Sequence, residues 1–130
     1  MAPTLERILC VEDEPTIHPV IRLALKRVGN FDVRIYDNGE QALTEAPAFR
    51  PDLLVLDVVM PDMDGPAVLE KARQMPELAN VPVIFLTGKS KPADVERLRA
   101  LGAVGVIGKP FEVRGLAAQI QHIWDAFAAA

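Results

Sequence analysis

Short apolar runs alternate with longer amphipathic stretches along the whole chain, and turn residues punctuate nearly every junction. That rhythm restricts the fold more than any other feature. A run too short for a helix and apolar on both faces belongs inside a parallel sheet with helices on either side. The strand expectations are residues 7–11, 31–36, 53–56, 83–86 and 104–107, and four of the five are almost wholly apolar.

Between them lie helical stripes. Ile17, Val20, Ile21, Ala24, Leu25 and Val28 recur at helical spacing, and Gly29-Asn30 supplies a stop. A short second helix carries Ala42, Leu43 and Ala46 and ends ahead of Pro47. The third follows Gly65-Pro66 with Val68, Leu69, Ala72 and Met75, bounded by Pro76. The fourth opens after Ser90, a candidate N-cap ahead of Pro92, and runs through Val95, Leu98 and Leu101 to Gly102. The fifth is striped by Leu116, Ile120, Ile123 or Trp124, and Phe127. Five βα units with right-handed crossovers give an α/β domain: a flavodoxin-like (βα)5 sheet of order 2-1-3-4-5 with helices on both faces.

At 130 residues the chain is expected to be a single domain, 1–130, with no output domain. A net charge of -4 provides no basic field for a phosphate backbone, so nucleic-acid binding is not expected. Cys10 lies alone in the apolar run Ile8-Leu9-Cys10-Val11, where it reads as a buried hydrophobe in a reducing compartment. The start of the chain lacks a signal peptide's apolar stretch, and no run approaches the roughly 18 residues of a membrane span. A cytoplasmic location without membrane insertion is the expectation.

In sheets of this type ligands bind at the carboxyl ends of the strands, near the switch between the first and third. The residues there are Glu12-Asp13-Glu14 after strand 1, Asp57 after strand 3, Thr87 after strand 4 and Lys109-Pro110 after strand 5. Asp57 ends an apolar run, where a carboxylate is held rigidly and partly desolvated. Clustered with Glu12 and Asp13 it makes a site of like charges that calls for a cation, and a hard, oxygen-seeking Mg²⁺ fits. Lys109 adds a compact positive charge and Thr87 a hydroxyl. A carboxylate nucleophile with these neighbours has the parts for phosphoryl transfer, and an ionised carboxylate needs no general base.

The segments Ile8-Leu9-Cys10-Val11-Glu12-Asp13-Glu14, Asp57-Val58-Val59-Met60-Pro61-Asp62-Met63-Asp64-Gly65, Val83-Ile84-Phe85-Leu86-Thr87-Gly88 and Gly108-Lys109-Pro110-Phe111 occur in order and at fixed spacing. With them the chain resembles the receiver domains of two-component response regulators, the stand-alone chemotaxis type in particular. The resemblance implies that Asp57 accepts a phosphoryl group from a phosphohistidine on a sensor histidine kinase or a histidine phosphotransfer protein. It implies that Asp13 and Asp57 bind Mg²⁺ directly, with the Val59 carbonyl as a third ligand and Glu12 acting through water. Thr87 and Lys109 would contact phosphoryl oxygens, assisted by the N–H groups of Val58 and Gly88, and the Lys109–Pro110 peptide bond would be cis. The resemblance also implies a signalling role, monomeric or weakly dimeric, toward a downstream target that the sequence does not identify. Self-phosphorylation and dephosphorylation are the reactions such a chain would catalyse.

The sequence departs from the family pattern at the switch region. Where receivers usually carry a Tyr or Phe three residues before the lysine, this chain has Val106, so the loop 88–92 next to Thr87 is expected to carry more of the conformational change. Val59 and Lys89 occupy the two positions that, by the same resemblance, would tune water access to the phosphoryl group. His18 and His122 read as surface or boundary residues rather than phosphohistidines, and Lys89, Lys91, Arg97 and Arg99 make helix 4 locally basic. The evenly spaced Gly102, Gly105 and Gly108 are not a nucleotide fingerprint. Two other functions fit parts of the pattern. An aspartate-nucleophile phosphohydrolase of the haloacid dehalogenase type would want a second Asp where Val59 stands, and a phosphate sink or relay intermediate would need no output surface.

Overall fold

Residues 3–89 and 91–130 are described by a computed structural model. The strands are β1 (Arg7–Val11), β2 (Asp32–Tyr36), β3 (Leu53–Asp57), β4 (Val83–Thr87) and β5 (Gly105–Gly108), all parallel and ordered β2-β1-β3-β4-β5. Side chains alternate along each strand, so every central strand feeds two cores. Leu9, Val11, Leu54, Leu56, Val83 and Phe85 meet the helices α2 (Gly39–Phe49), α3 (Gly65–Arg73) and α4 (Pro92–Ala100). Ile8, Cys10, Leu53, Val55, Ile84 and Leu86 meet α1 (His18–Arg22) and α5 (Val113–Ala129) on the opposite face. The sequence expectation of a flavodoxin-like sheet with helices on both faces describes this architecture.

The first helical stretch is less regular than its stripe suggested. A 3-10 turn at Pro15–Ile17 leads into α1, and the chain then widens to π geometry over Leu23–Val28. Ile21, Ala24 and Leu25 are buried throughout this change of pitch, while Val20 and Val28 are exposed.

Three helix expectations need correction. Helix α2 does not stop at Pro47 but continues to Phe49. Pro47 removes one N–H from the ladder, yet Ala46 and Phe49 are buried on the sheet, the Arg34 guanidinium lies 4.7 Å from the Phe49 ring centre, and the Arg50 N–H closes the last turn on the Ala46 carbonyl. Packing therefore outweighs the lost hydrogen bond. In α4 the spacing of three between Val95, Leu98 and Leu101 rotates the stripe by about 60° per step. The helix ends at Ala100, and Leu101 is 51% exposed. Phe127, expected in the buried stripe of α5, is exposed and lies against Trp124 at its edge. The expected cap at Ser90 lies outside the described residues; the residue preceding α4 is Lys91. Among the described residues, no helix is long and apolar enough to cross a membrane.

Candidate functional site

The carboxyl ends of β1, β3, β4 and β5 form one rim. β3 includes Asp57 as its last residue and β4 includes Thr87, each one residue longer than the apolar runs indicated, so both functional side chains leave from ladder-bonded backbone. The Glu12 N–H donates to the Tyr36 carbonyl at 2.9 Å and extends the β1–β2 pairing past Val11. On the other side, the Lys109 N–H donates to the Thr87 carbonyl at 2.8 Å, and the Lys109–Pro110 peptide is cis. Backbone bonding thus places an acid, an acid, a hydroxyl and an amine side by side.

Their side chains converge. Lys109 Nζ lies 2.7 Å from Glu12 Oε1 and 3.1 Å from Asp57 Oδ1. Carboxylate oxygens of Glu12, Asp13 and Asp57 all fall within 4.8 Å of one another. Glu12, Asp57 and Thr87 are buried, whereas Asp13 is half-buried. An open cleft of about 340 Å³ reaches all of them, and Glu14, Ile17, Val59 and Gly88 complete its wall.

Crowding two buried carboxyls around one ammonium divides their titration. Burial, reinforced by Glu12, pushes Asp57 up to about 7 despite Lys109. Burial also works to raise Glu12, but the hydrogen bond from Lys109 overrides it and holds Glu12 below its ordinary value. Lys109 is disfavoured as a cation by burial, yet its two carboxyl partners hold it above its ordinary value. The site has more acid than its single cation can neutralise, and the excess falls on Asp57. Three hard oxygen donors with an unbalanced negative charge suit a small divalent cation, so the residues present fit Mg²⁺.

The β3–α3 connection is fixed by a close approach. The Gly65 N–H donates to the Val58 carbonyl at 3.0 Å, and a Cβ added at Gly65 would stand 2.5 Å from the Asp57 carbonyl oxygen. Only glycine lets α3 start this close to the strand that carries Asp57. Beyond it, Asp64 caps α3 by accepting from the Ala67 N–H.

One sequence expectation does not survive the geometry. The Val58 N–H, expected toward a phosphoryl oxygen, donates to the Leu86 carbonyl at 3.0 Å and is committed to the sheet. Val106 lies outside the cleft, half-buried against the core under α2, α3 and α4. One residue was passed over: His18, read as a boundary residue, places Nε2 2.6 Å from the Glu12 carbonyl oxygen. Nothing in its residue type announced this contact; only its place six residues beyond Glu12, where a strand must turn into a helix, hinted at it.

Comparison with known proteins agrees with this arrangement. Residues 8–121 match the sequence model of the response regulator receiver domain. The DNA-binding response regulator MtrA of Mycolicibacterium smegmatis is 34% identical over 116 residues, covering 89% of this chain and 49% of that protein. The Bacillus subtilis alkaline phosphatase synthesis transcriptional regulatory protein PhoP is 36% identical over 118 residues, covering 91% and 48%. The chain spans about half the length of these curated relatives. Among solved structures, the Vibrio cholerae chemotaxis response regulator CheY4 superposes with a TM-score of 0.83 at 28% identity, covering 92% of this chain and 99% of that one. A signal receiver domain of a histidine kinase from Syntrophus aciditrophicus does so with a TM-score of 0.78 at 34% identity, covering 96% and 94%. The haloacid dehalogenase alternative is thereby set aside, since both the sequence match and the fold lie with receivers. By its sequence, its strand order and the clustering of acids and lysine at one sheet edge, the chain belongs to the response regulator receiver domain family.

Proposed function

We propose that Asp57 is a phosphoryl acceptor and that the chain works as a phosphorylation-controlled signalling switch. The observation that carries this is the placement of Asp57. It is the last residue of a fully buried strand, 3.1 Å from Lys109 Nζ and within 4.8 Å of two further carboxylates, and it opens onto a solvent cleft.

Asp13 and Asp57, with the Val59 carbonyl, are the groups to hold Mg²⁺ directly. Glu12, 1% exposed and bonded to Lys109, acts at one remove. When bound, the cation neutralises the acidic cluster and the charge on phosphoryl oxygens. Asp57 then reacts as the ionised carboxylate. A bond forms from its oxygen to phosphorus as the phosphorus–nitrogen bond of a donor phosphohistidine breaks, and the imidazole leaves with the electron pair. Lys109 moves its ammonium from the carboxyl groups toward the new phosphoryl oxygens. The Thr87 hydroxyl, which accepts from the Lys89 N–H at 2.9 Å, turns its proton toward them as well, with the Gly88 N–H assisting.

The phosphoryl donor is a sensor histidine kinase or a histidine phosphotransfer protein. The decisive experiment is intact-mass measurement after incubation with acetyl phosphate, with and without Mg²⁺, on the wild type and Asp57→Asn. One Mg²⁺-dependent phosphoryl adduct that disappears in the variant is the expected result. No adduct under any condition would reduce the site to a binding site.

A further inference from the structure

We infer that His18 is a positioning residue for Asp13, and through it for the divalent cation of the proposed phosphorylation reaction, on which this inference rests. Glu12 is the hinge of the argument, because each of its polar groups has a partner. Its N–H donates to Tyr36, its Oε1 takes Lys109, its Oε2 accepts from the Glu14 N–H at 3.4 Å, and its carbonyl oxygen lies 2.6 Å from His18 Nε2.

A carbonyl oxygen can only accept, so the contact requires the His18 tautomer that carries its proton on Nε2. The accepted oxygen belongs to the planar peptide that joins Glu12 to Asp13. Fixing the Glu12 carbonyl therefore fixes the plane of the Asp13 N–H and the position of the Asp13 Cα from which the carboxylate departs. Asp13 itself lacks the strand pairing that holds Asp57, being one residue past the last β1–β2 backbone bond. Its place must come from elsewhere, and the imidazole supplies it.

The local sequence makes His18 suited to this. The 3-10 turn at Pro15–Ile17 brings the chain round within one short loop, and Pro19 follows His18 at the start of α1. The half-buried ring closes the loop from Glu12 to His18 as one hydrogen-bonded unit. Among side chains of this size a donor is needed: Gln retains one, Ala does not.

The test uses the wild type, His18→Gln and His18→Ala. In metal-free protein, long-range proton–nitrogen spectra of the imidazoles should show His18 protonated on Nε2, and His18→Ala should shift the Asp13 amide resonance. In Mg²⁺ titrations, followed by those amide shifts and by adduct formation from acetyl phosphate, His18→Ala should raise the half-saturating Mg²⁺ concentration roughly tenfold. The rate at saturating Mg²⁺ should stay within about twofold, and His18→Gln should recover most of the affinity. A wild-type His18 protonated only on Nδ1, or an unchanged half-saturation in His18→Ala, overturns the inference. So does an equal loss in both variants that follows their melting temperatures, because that would mark a purely structural residue. Failure of the wild type to bind Mg²⁺ or form an adduct would instead remove the phosphorylation reading, and this inference with it.

Discussion

Asp57 and Thr87 end two central strands whose residues are all buried, whereas Val106 and α4 occupy the far edge of the sheet, where fewer residues are buried. Among the described residues of α4, Leu98 alone is buried, and β5 alternates buried with half-buried positions. The chemistry proposed for Asp57 would thus be anchored where the sheet is doubly covered. The region that would report on it is held by the edge of one core. Local opening free energies track buried apolar contact, so the edge has a lower barrier to rearrangement than the centre. A receiver needs both properties: a nucleophile that does not move and a neighbouring surface that can.

The largest expected effect comes from emptying the centre. Phe85 is fully buried and packs beneath the close approach of Gly65 to Asp57. Phe85→Ala should cost about 3–5 kcal/mol in urea unfolding. It should also slow adduct formation, because the backbone beside Asp57 loses its support. A loss of stability with full phosphorylation would break the claimed link between the central core and the nucleophile.

Leu98→Ala supplies the matching test at the edge. It should cost about 2 kcal/mol, the low end for a buried Leu, since one flank of α4 is open and can relax. Adduct formation should persist while amide exchange in α4 accelerates. Leu101→Ala, at an exposed position, should change stability by less than about 0.5 kcal/mol. If Leu98→Ala abolished phosphorylation, the two regions would not be separable.

The same contrast explains what the sequence disclosed. The central strands were legible because burial on both faces leaves an uninterrupted apolar run, as in Leu53–Asp57 up to its last residue. Asp57, Thr87 and Lys109 were legible because polar residues that end such runs must share one rim. The edge was harder. Leu101 and Phe127 have the composition of core residues, but Leu101 lies just past the end of α4 and Phe127 lies beside the buried Trp124 at the edge of the α5 stripe, and apolar spacing alone sets neither. Pro47 misled for a related reason: a propensity rule gave way to the burial of Phe49, which no local pattern reveals. His18 was hidden because its partner is a backbone carbonyl, and backbone acceptors leave no trace in residue identity. The occupied Val58 N–H was hidden for the same reason.

A subtler measure of the central site is its pH dependence. In the metal-free protein the folded state keeps a proton on Asp57 up to about 7, whereas the unfolded chain releases it near 3.8. The folded state binds more protons across that window, so Asp57 makes stability fall as pH rises through it. Glu12, held below its ordinary 4.5, acts in the opposite sense, its contribution being lost as pH falls below that value. Metal-free stability should therefore peak on the acid side of neutrality. Saturating Mg²⁺ should flatten the decline toward pH 7, and Mg²⁺ affinity should rise across the same interval. Urea unfolding from pH 4.5 to 8, in EDTA and in Mg²⁺, measures this directly. A metal-free stability that climbs steadily to neutral pH would mean that Asp57 is not the group carrying the excess charge.

The smallest effect to seek is the one that joins the two regions. The Lys89 N–H donates to Thr87 Oγ1 at 2.9 Å, so the hydroxyl that would turn toward a phosphoryl group also holds the start of the loop leading to α4. Val106 pairs with Phe85 across the ladder and is half-buried, with no ring to swing between two positions. A signal leaving Thr87 therefore has a hydrogen-bonded route through Lys89 and no aromatic route through β5. Amide shifts with beryllofluoride as a phosphoryl mimic should be larger at Gly88 and Lys89 than at Val106 and its β5 neighbours. Thr87→Ala should erase the Lys89 shift, whereas Val106→Ala should leave it in place. Should the loop stay unmoved while β5 shifts, the strand edge would be the conduit despite its missing ring, and the division between a fixed centre and a reporting loop would have to be redrawn along β5.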